Sequence, residues 1–378
     1  MTDPIYFDFQ ATTPTDPRVL DAMLPYFGSK FGNPHSTSHS RGIEAAEAVE
    51  KARAQIAKAI NADSREIIFT SGATEANNLA IQGTAAFWKD NKPRVLMAST
   101  EHKCVLESCN ATQTQGFDAQ ILPVDKDGLI DLGYLETALS DQTALVSVMA
   151  ANNETGVLQP LKEIADLCGK YGAYLHSDAA QALGKIPLDV QELNVNLMSF
   201  SGHKIYGPMG IGALYVRRRP RTRLEPLFYG GGQERTLRSG TVPLPLVVGF
   251  GEAAAISVEE MDQEQARFKA WQTNFVDALK SKAHWIKVNG SLEKRLTNNL
   301  NLTFSGYRSD ELFALLADFQ LSSGSACTSA SVEPSYVLKA MGLSAGEAAG
   351  SLRISFGRTT TNAEVKALLA AILALAPK

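Results

Sequence analysis

Hydrophobic and polar positions follow two rhythms along this chain. Over residues 42–60 the apolar side chains Val49, Ala52, Ile56, Ala59 and Ile60 recur at helical spacing and line one face, with Asn61 placed to end the helix. Residues 161–171 repeat the rhythm through Leu161, Ile164, Ala165 and Cys168, which makes Cys168 a core residue. Between such stretches lie short, almost uniformly apolar runs at 66–70, 94–98, 143–150, 173–178, about 196–200 and 211–216. Runs of that length bounded by Gly, Ser, Thr and Asn read as strands buried on both faces. Repeated strand-then-helix units predict an α/β fold, a mostly parallel sheet with helices on both sides.

The ends of the chain read differently. Residues 5–14 form a short extended segment closed by Pro14, and 28–40 is a loop rich in Gly, Pro, Ser and His. The basic run 217–223 reads as a solvated turn, and a glycine loop follows at 229–233. A long helix from near Glu259 to about Lys282 is the arm into a smaller α+β domain. That domain has strand alternation at 299–304 and a last helix opened by the capping box Thr361-Asn-Ala-Glu364. The expected division is a large domain at 15–258 and a small one from 1–14 plus 259–378, the latter carrying a mobile loop at about 321–333.

Size and composition narrow the function. A chain of 378 residues has room for about two domains. A formal charge of −4 with 20% charged residues gives no basic face for nucleic acid and no acidic tail. No apolar run approaches the roughly 20 residues of a membrane span, and the first residues lack a secretory pattern. The four cysteines, Cys104, Cys109, Cys168 and Cys327, show no CxxC pair and no metal-ligand spacing. A reduced, cytoplasmic compartment and no metal are the expectations.

In an open α/β sheet ligands bind beyond the carboxyl ends of the strands, so polar residues there are read together. Lys204 sits in a Gly-flanked turn after an apolar run, where a desolvated amine can form a Schiff base with an aldehyde; an ordinary loop lysine is the alternative. Ser71-Gly-Ala73-Thr74 opens a helix and offers a phosphate site. His102 either stacks on a flat ring or caps a helix. Asp178 either holds a pyridinium nitrogen protonated or caps a helix. Gln181, Asn153, Ser201 and His203 supply further polar groups. Cys327 lies in Ser322-Ser-Gly-Ser-Ala-Cys-Thr-Ser-Ala330, with no large apolar side chain to bury it, and is a candidate nucleophile or carrier. Arg353, inside the strand pattern 351–356, either pairs with a substrate carboxylate or faces solvent on an edge strand.

These residues resemble the pyridoxal phosphate (PLP)-dependent cysteine desulfurases of the NifS/IscS type, within the class V aminotransferase family. The marks are Gly32-Asn-Pro-His-Ser36, Thr70-Ser-Gly-Ala-Thr-Glu-Ala-Asn-Asn78, Thr100-Glu-His-Lys103, Asn152-Asn-Glu-Thr-Gly156, Ser199-Phe-Ser-Gly-His-Lys-Ile-Tyr-Gly-Pro208, Arg238-Ser-Gly-Thr241 and Ser323-Gly-Ser-Ala-Cys-Thr-Ser329. The resemblance implies the PLP-dependent transferase fold of type I, with a seven-stranded sheet, and a homodimer. It implies that Lys204 carries the cofactor and moves the α-proton, that His102 stacks on the ring and takes part in proton transfer, and that Asp178 and Gln181 meet the ring nitrogen and oxygen. Ala73, Thr74, Ser201 and His203 would hold the phosphate, with Thr241 from the second subunit. Asn153 and Arg353 would bind the amino-acid end of L-cysteine, and Cys327 would take its sulfur as a persulfide, releasing alanine. The Cys327 loop resembles those of group I, which pass sulfur to a partner such as an iron–sulfur scaffold or sulfurtransferase. An aminotransferase has no use for Cys327, whereas a selenocysteine lyase shares the site chemistry. Phe9-Gln10 departs from what relatives usually carry before Ala-Thr-Thr, and the family's scaffold-docking tail has no counterpart after the last helix.

Overall fold

The computed structural model describes residues 4–323 and 334–378; Cys327 and most of its loop lie outside the described residues. The chain opens with a short strand, β1 (Ile5–Tyr6), then two helices, α1 (Pro17–Phe27) and α2 (Ser40–Ala59). Strand and helix then alternate through β2 (Ile67–Thr70), α3 (Ala73–Trp88), β3 (Arg94–Ala98), α4 (Lys103–Ala111), β4 (Asp118–Leu122), α5 (Leu132–Ala138), β5 (Thr143–Ser147), α6 (Leu161–Lys170) and β6 (Tyr174–Asp178). Two further strands, β7 (Leu197–Ser201) and β8 (Gly212–Val216), complete a seven-stranded sheet of order β2-β8-β7-β6-β5-β3-β4.

The sheet is mostly parallel, as the alternation predicts. The exception is β8, antiparallel to both β2 and β7. A parallel return needs a crossover of a dozen or more residues, and the connection from Ser201 to Gly212 is shorter than that. The apolar strands are buried on both faces. One face packs on Val49, Ile56, Val247 and Phe250, and the other on Leu79, Ile81, Val105 and Cys109.

The arm helix, α7 (Leu244–Lys282), begins well before residue 259, where the sequence reading starts it. Its first part buries Leu244, Val247, Phe250, Ala253, Ala254 and Ile256 between α1 and α2. A segment enclosed that fully has no polar face, and so no amphipathic rhythm to read. Smaller corrections have local causes. Ser64–Glu66 forms a 3-10 turn closed by a capping box with Asp63, so β2 starts after Glu66. α1, unassigned in the sequence, begins at Pro17 behind the Asp16 cap and leaves Leu20, Leu24 and Phe27 exposed, so its apolar residues trace no single buried face.

Beyond α7 come β9 (Ile286–Val288), β10 (Asn299–Phe304), α8 (Ser309–Leu315), β11 (Phe319–Gln320), α9 (Tyr336–Ala340), α10 (Ala345–Ala349), β12 (Ser351–Ser355) and α11 (Asn362–Leu373). β12, β10 and β9 form an antiparallel sheet, and α11 opens on the Thr361–Glu364 capping box read from the sequence. This part has its own core, which includes Phe275, Leu300, Phe304, Ile354 and Leu368. Phe7 belongs to it, and β1 pairs in parallel with β11, so the N-terminal segment is carried across to this sheet.

Candidate active site

The carboxyl ends of β2, β3, β6 and β7 open on a cavity of about 550 Å³. Lys204, His102, Ala73, Thr74, Asp178, Gln181, Ser201, His203, Asn153 and Arg353 all line it. Two proposed site residues do not. Thr241 is exposed and borders a separate hollow of about 750 Å³ with Tyr26, Phe31 and His39. Cys327 lies outside the described residues.

One wall is the start of α3. Gly72 occupies the N-cap with no side-chain cap bond, so the helix opens on the cavity through its first backbone N–H groups and its positive end. The approach is tight: a Cβ on Gly212 of β8 would sit 2.6 Å from the Gly72 Cα, so only glycine lets the strand pass there. Glu75 steadies the turn, accepting from the Ser71 N–H at 2.8 Å and pairing with Arg238 at 2.7 Å. Ser201 at the end of β7 and His203 in the following turn face the same space. Burial, then the nearby Lys204 and Lys185 charges, hold the His203 imidazole down to about 4, so it is neutral near pH 7. Its Nδ1 lies 3.0 Å from the Thr12 hydroxyl.

The Lys204 amine donates to the carbonyls of Gln10 and Ala11, both at 2.7 Å. The Gln10 carbonyl also accepts from Gln181 Nε2 at 2.9 Å, and Gln181 Oε1 accepts from Lys185 at 3.0 Å. A second lysine therefore stands behind the first. Burial above all, then repulsion from Lys204, pushes the Lys185 amine down to about 7. Asp178 ends β6 and caps no helix; its carboxylate accepts from the Ala180 N–H at 2.9 Å and from Asn77 Nδ2 at 2.7 Å. His102 caps α4 through Nδ1 and also lines the cavity.

Across the cavity, β12 ends its three-stranded sheet, but Arg353 exchanges backbone hydrogen bonds with Ser322 on the outer side and is only 2% exposed. Its guanidinium donates to the Asn153 carbonyl at 2.7 Å and to the Asp8 carboxylate, while Nε has no partner among the described residues. Asn153 Oδ1 is likewise buried without one. The carboxyl of neighbouring Glu154 accepts from the Ser335 hydroxyl, and burial pushes it up.

Sequence reasoning missed Lys185, Asn77 and the wall-forming carbonyls of Gln10 and Ala11. Backbone acceptors leave no residue-type signal; Gln10 showed itself only as a departure from the family. Cys104 is half-buried and lines the cavity, whereas Cys109 and Cys168 are core residues whose thiols burial pushes up, Cys168 to about 12. Among the described residues no cluster of His, Cys, Asp and Glu could hold a metal ion.

A family described as "Aminotransferase class-V" matches residues 5–368, and the chain belongs to it. Within that family it is 54% identical to the cysteine desulfurase IscS of Rickettsia bellii over 362 residues, covering 96% of this chain and 88% of the relative. Among solved structures, a NifS-like protein superposes with a TM-score of 0.91 at 37% identity, covering 98% of both chains. SspA in complex with cysteine does so at 0.83 and 39% identity, covering 93% of this chain and 98% of SspA. These enzymes are PLP-dependent.

The cavity fits that cofactor on its own chemistry. An uncapped helix start with Ser201 and neutral His203 offers N–H and O–H donors to a phosphate. Asp178 keeps acceptor capacity for a pyridinium N–H. Gln181 Nε2 has a second hydrogen beyond the one given to Gln10, suited to a ring oxygen. Lys204 supplies the amine.

Proposed function

We propose that this chain is a PLP-dependent cysteine desulfurase that converts L-cysteine to L-alanine and passes the sulfur to its own Cys327 as a persulfide. The observation that carries this reading is the gathering of amine, helix start, carboxylate, amide and arginine around one cavity, in a chain 54% identical to a cysteine desulfurase.

Bound PLP supplies an electron sink for the substrate's α-carbon. The chain's own groups do the rest. The α3 start, Ser201 and His203 hold the phosphate. Asp178 keeps a proton on the ring nitrogen, and Gln181 donates to the ring oxygen. Lys204 would hold the aldehyde, and its amine would carry the substrate's α-proton. Arg353 and Asn153 orient the amino-acid end of the substrate. The thiolate of Cys327 attacks the substrate sulfur: an S–S bond forms, the C–S bond breaks, and its electron pair ends on the carbon, which takes up a proton to become the alanine methyl.

The active unit we propose is a homodimer in which Thr241 reaches the partner's phosphate site. The exposed Phe31 in the hollow beside Thr241, and the exposed Leu20, Leu24 and Phe27 of α1 and Ile43 of α2, support this. Residues 1–14 and 259–378 act as the smaller domain that brings the Cys327 loop to the cavity. No helix among the described residues is long and apolar enough to cross a membrane; we place the enzyme in the cytoplasm, where a sulfur-acceptor protein takes the persulfide sulfur.

Purified protein with PLP, L-cysteine and a thiol reductant is expected to release alanine and sulfide in equal amounts. Cys327→Ala should stop sulfide release and keep the bound cofactor's visible absorbance. Sulfide release undiminished in that variant overturns the role of Cys327; a protein that binds no PLP overturns the reading.

A further inference from the structure

Asn77 of α3 is fully buried, and its amide nitrogen serves two acceptors. It donates to Asp178 Oδ2 at 2.7 Å and to Cys104 Sγ at 3.2 Å. That sulfur is 3.0 Å from His102 Nδ1, which also accepts from the Cys104 backbone N–H at 3.3 Å. We propose that Asn77 and Cys104 are positioning residues that fix the ring proton of His102 on Nε2.

The argument is one of direction. A backbone N–H can only donate, so Nδ1 must carry a lone pair. The Asn77 N–H can likewise only donate, so the sulfur accepts from it and turns its own hydrogen toward Nδ1. Amide, thiol and imidazole therefore line up in one sense, and the proton of the neutral ring is left on Nε2. The second hydrogen of the same amide holds Asp178, whose carboxylate has to be the acceptor. One side chain thus sets both groups that would flank the cofactor ring, and this consequence rests on reading the cavity as the PLP site. Protonating His102 on Nδ1 would give up two donors at once, so the arrangement favours the neutral ring. Among the described residues, the other charged or titratable groups facing it are Glu101, Glu154 and Asp178, with Lys204, His203, Glu75 and Arg353 lining the same cavity.

The test is long-range proton–nitrogen correlation NMR on the full chain with ¹⁵N-labelled histidine, with and without PLP. The six histidines are separated by comparison with His102→Gln. His102 is expected to carry its proton on Nε2 in both states. Cys104→Ser keeps a donor and should keep the tautomer. Cys104→Ala should raise the midpoint of the His102 titration by about half a unit, and lower the turnover number roughly 3- to 10-fold with little change in KM. Asn77→Ala, which leaves the sulfur without its donor, should move the midpoint the same way. A proton found on Nδ1 in the unsubstituted chain, or one midpoint shared by the unsubstituted, Ser and Ala proteins, overturns the proposal. The tautomer is read without turnover, so a chain that showed Nε2–H and made no sulfide would overturn the desulfurase reading and leave this one standing.

Discussion

Arg353 is a side chain with two duties. It ties the Asp8 carboxylate and the Asn153 carbonyl together and also lines the cavity. Removing a buried arginine leaves its carboxylate partner charged and unpaired, at about 3–5 kcal/mol where the pair is fully enclosed. Asp8 keeps 17% side-chain exposure, so its cost falls below that range. We expect Arg353→Ala to lower the melting temperature and raise KM for cysteine at least tenfold. Arg353→Lys should recover most of the melting temperature and little of the KM, because an ammonium lacks the planar fork. Calorimetry beside steady-state kinetics separates the two duties; equal recovery of both by Lys would mean that Arg353 acts on substrate only through stability. Residue types announced the arginine, the lysine and the carboxylate. They did not announce that Asp8 would share the arginine, since that contact joins residues 345 positions apart.

At the scale of elements, the start of β2 is pinned from a distance. Glu234 lies in a run of three left-handed residues, Glu234, Arg235 and Thr236. Its carboxylate meets Arg53 of α2 through two bonds, at 2.7 and 2.8 Å, and accepts from the Phe69 N–H at 2.7 Å. Both side chains are almost fully buried; Arg53 keeps its bonds to Glu50 and the Ile67 carbonyl, so breaking the pair by Glu234→Ala should cost less than the about 3–5 kcal/mol of a buried charge left wholly unpaired. Because Phe69 leads directly into Ser71 and the α3 start, PLP affinity should fall in the same variant. Urea unfolding and cofactor titration check both; a loss under about 1 kcal/mol would show that the pair is not a structural tie. Nothing in 229–236 announced this, for a glycine loop reads as a turn whatever it grips. The alternating strands and helices were legible because each strand is a short apolar run between breakers. The first half of α7 was not, since a helix enclosed on all sides loses its periodic signature.

The whole molecule carries buried titratable groups of opposite sense. His176, fully buried between β5 and β7, bonds the hydroxyls of Ser147 at 2.8 Å and Ser199 at 3.0 Å, and burial holds its imidazole down to about 4. An unfolded histidine takes up its proton near 6.5, so between those values the unfolded chain binds a proton that the fold does not. The stability this contributes is complete above about 6.5 and is lost as pH falls towards about 4, some 3 kcal/mol in all. Glu101 works against it. Its carboxyl is fully buried and pushed well above the usual range, first by burial and then by Asp178, so the fold keeps a proton that the unfolded chain gives up near 4.5. That contribution fades as pH rises. The two slopes oppose each other over about pH 4.5–6.5, and the unsubstituted chain can look nearly indifferent to pH there. The difference between variants is therefore the diagnostic quantity. Urea midpoints taken from pH 7.5 down to 4.5 should fall less steeply for His176→Gln than for the unsubstituted protein, and more steeply for Glu101→Gln. Parallel curves for all three proteins would remove both groups from the acid response of the fold.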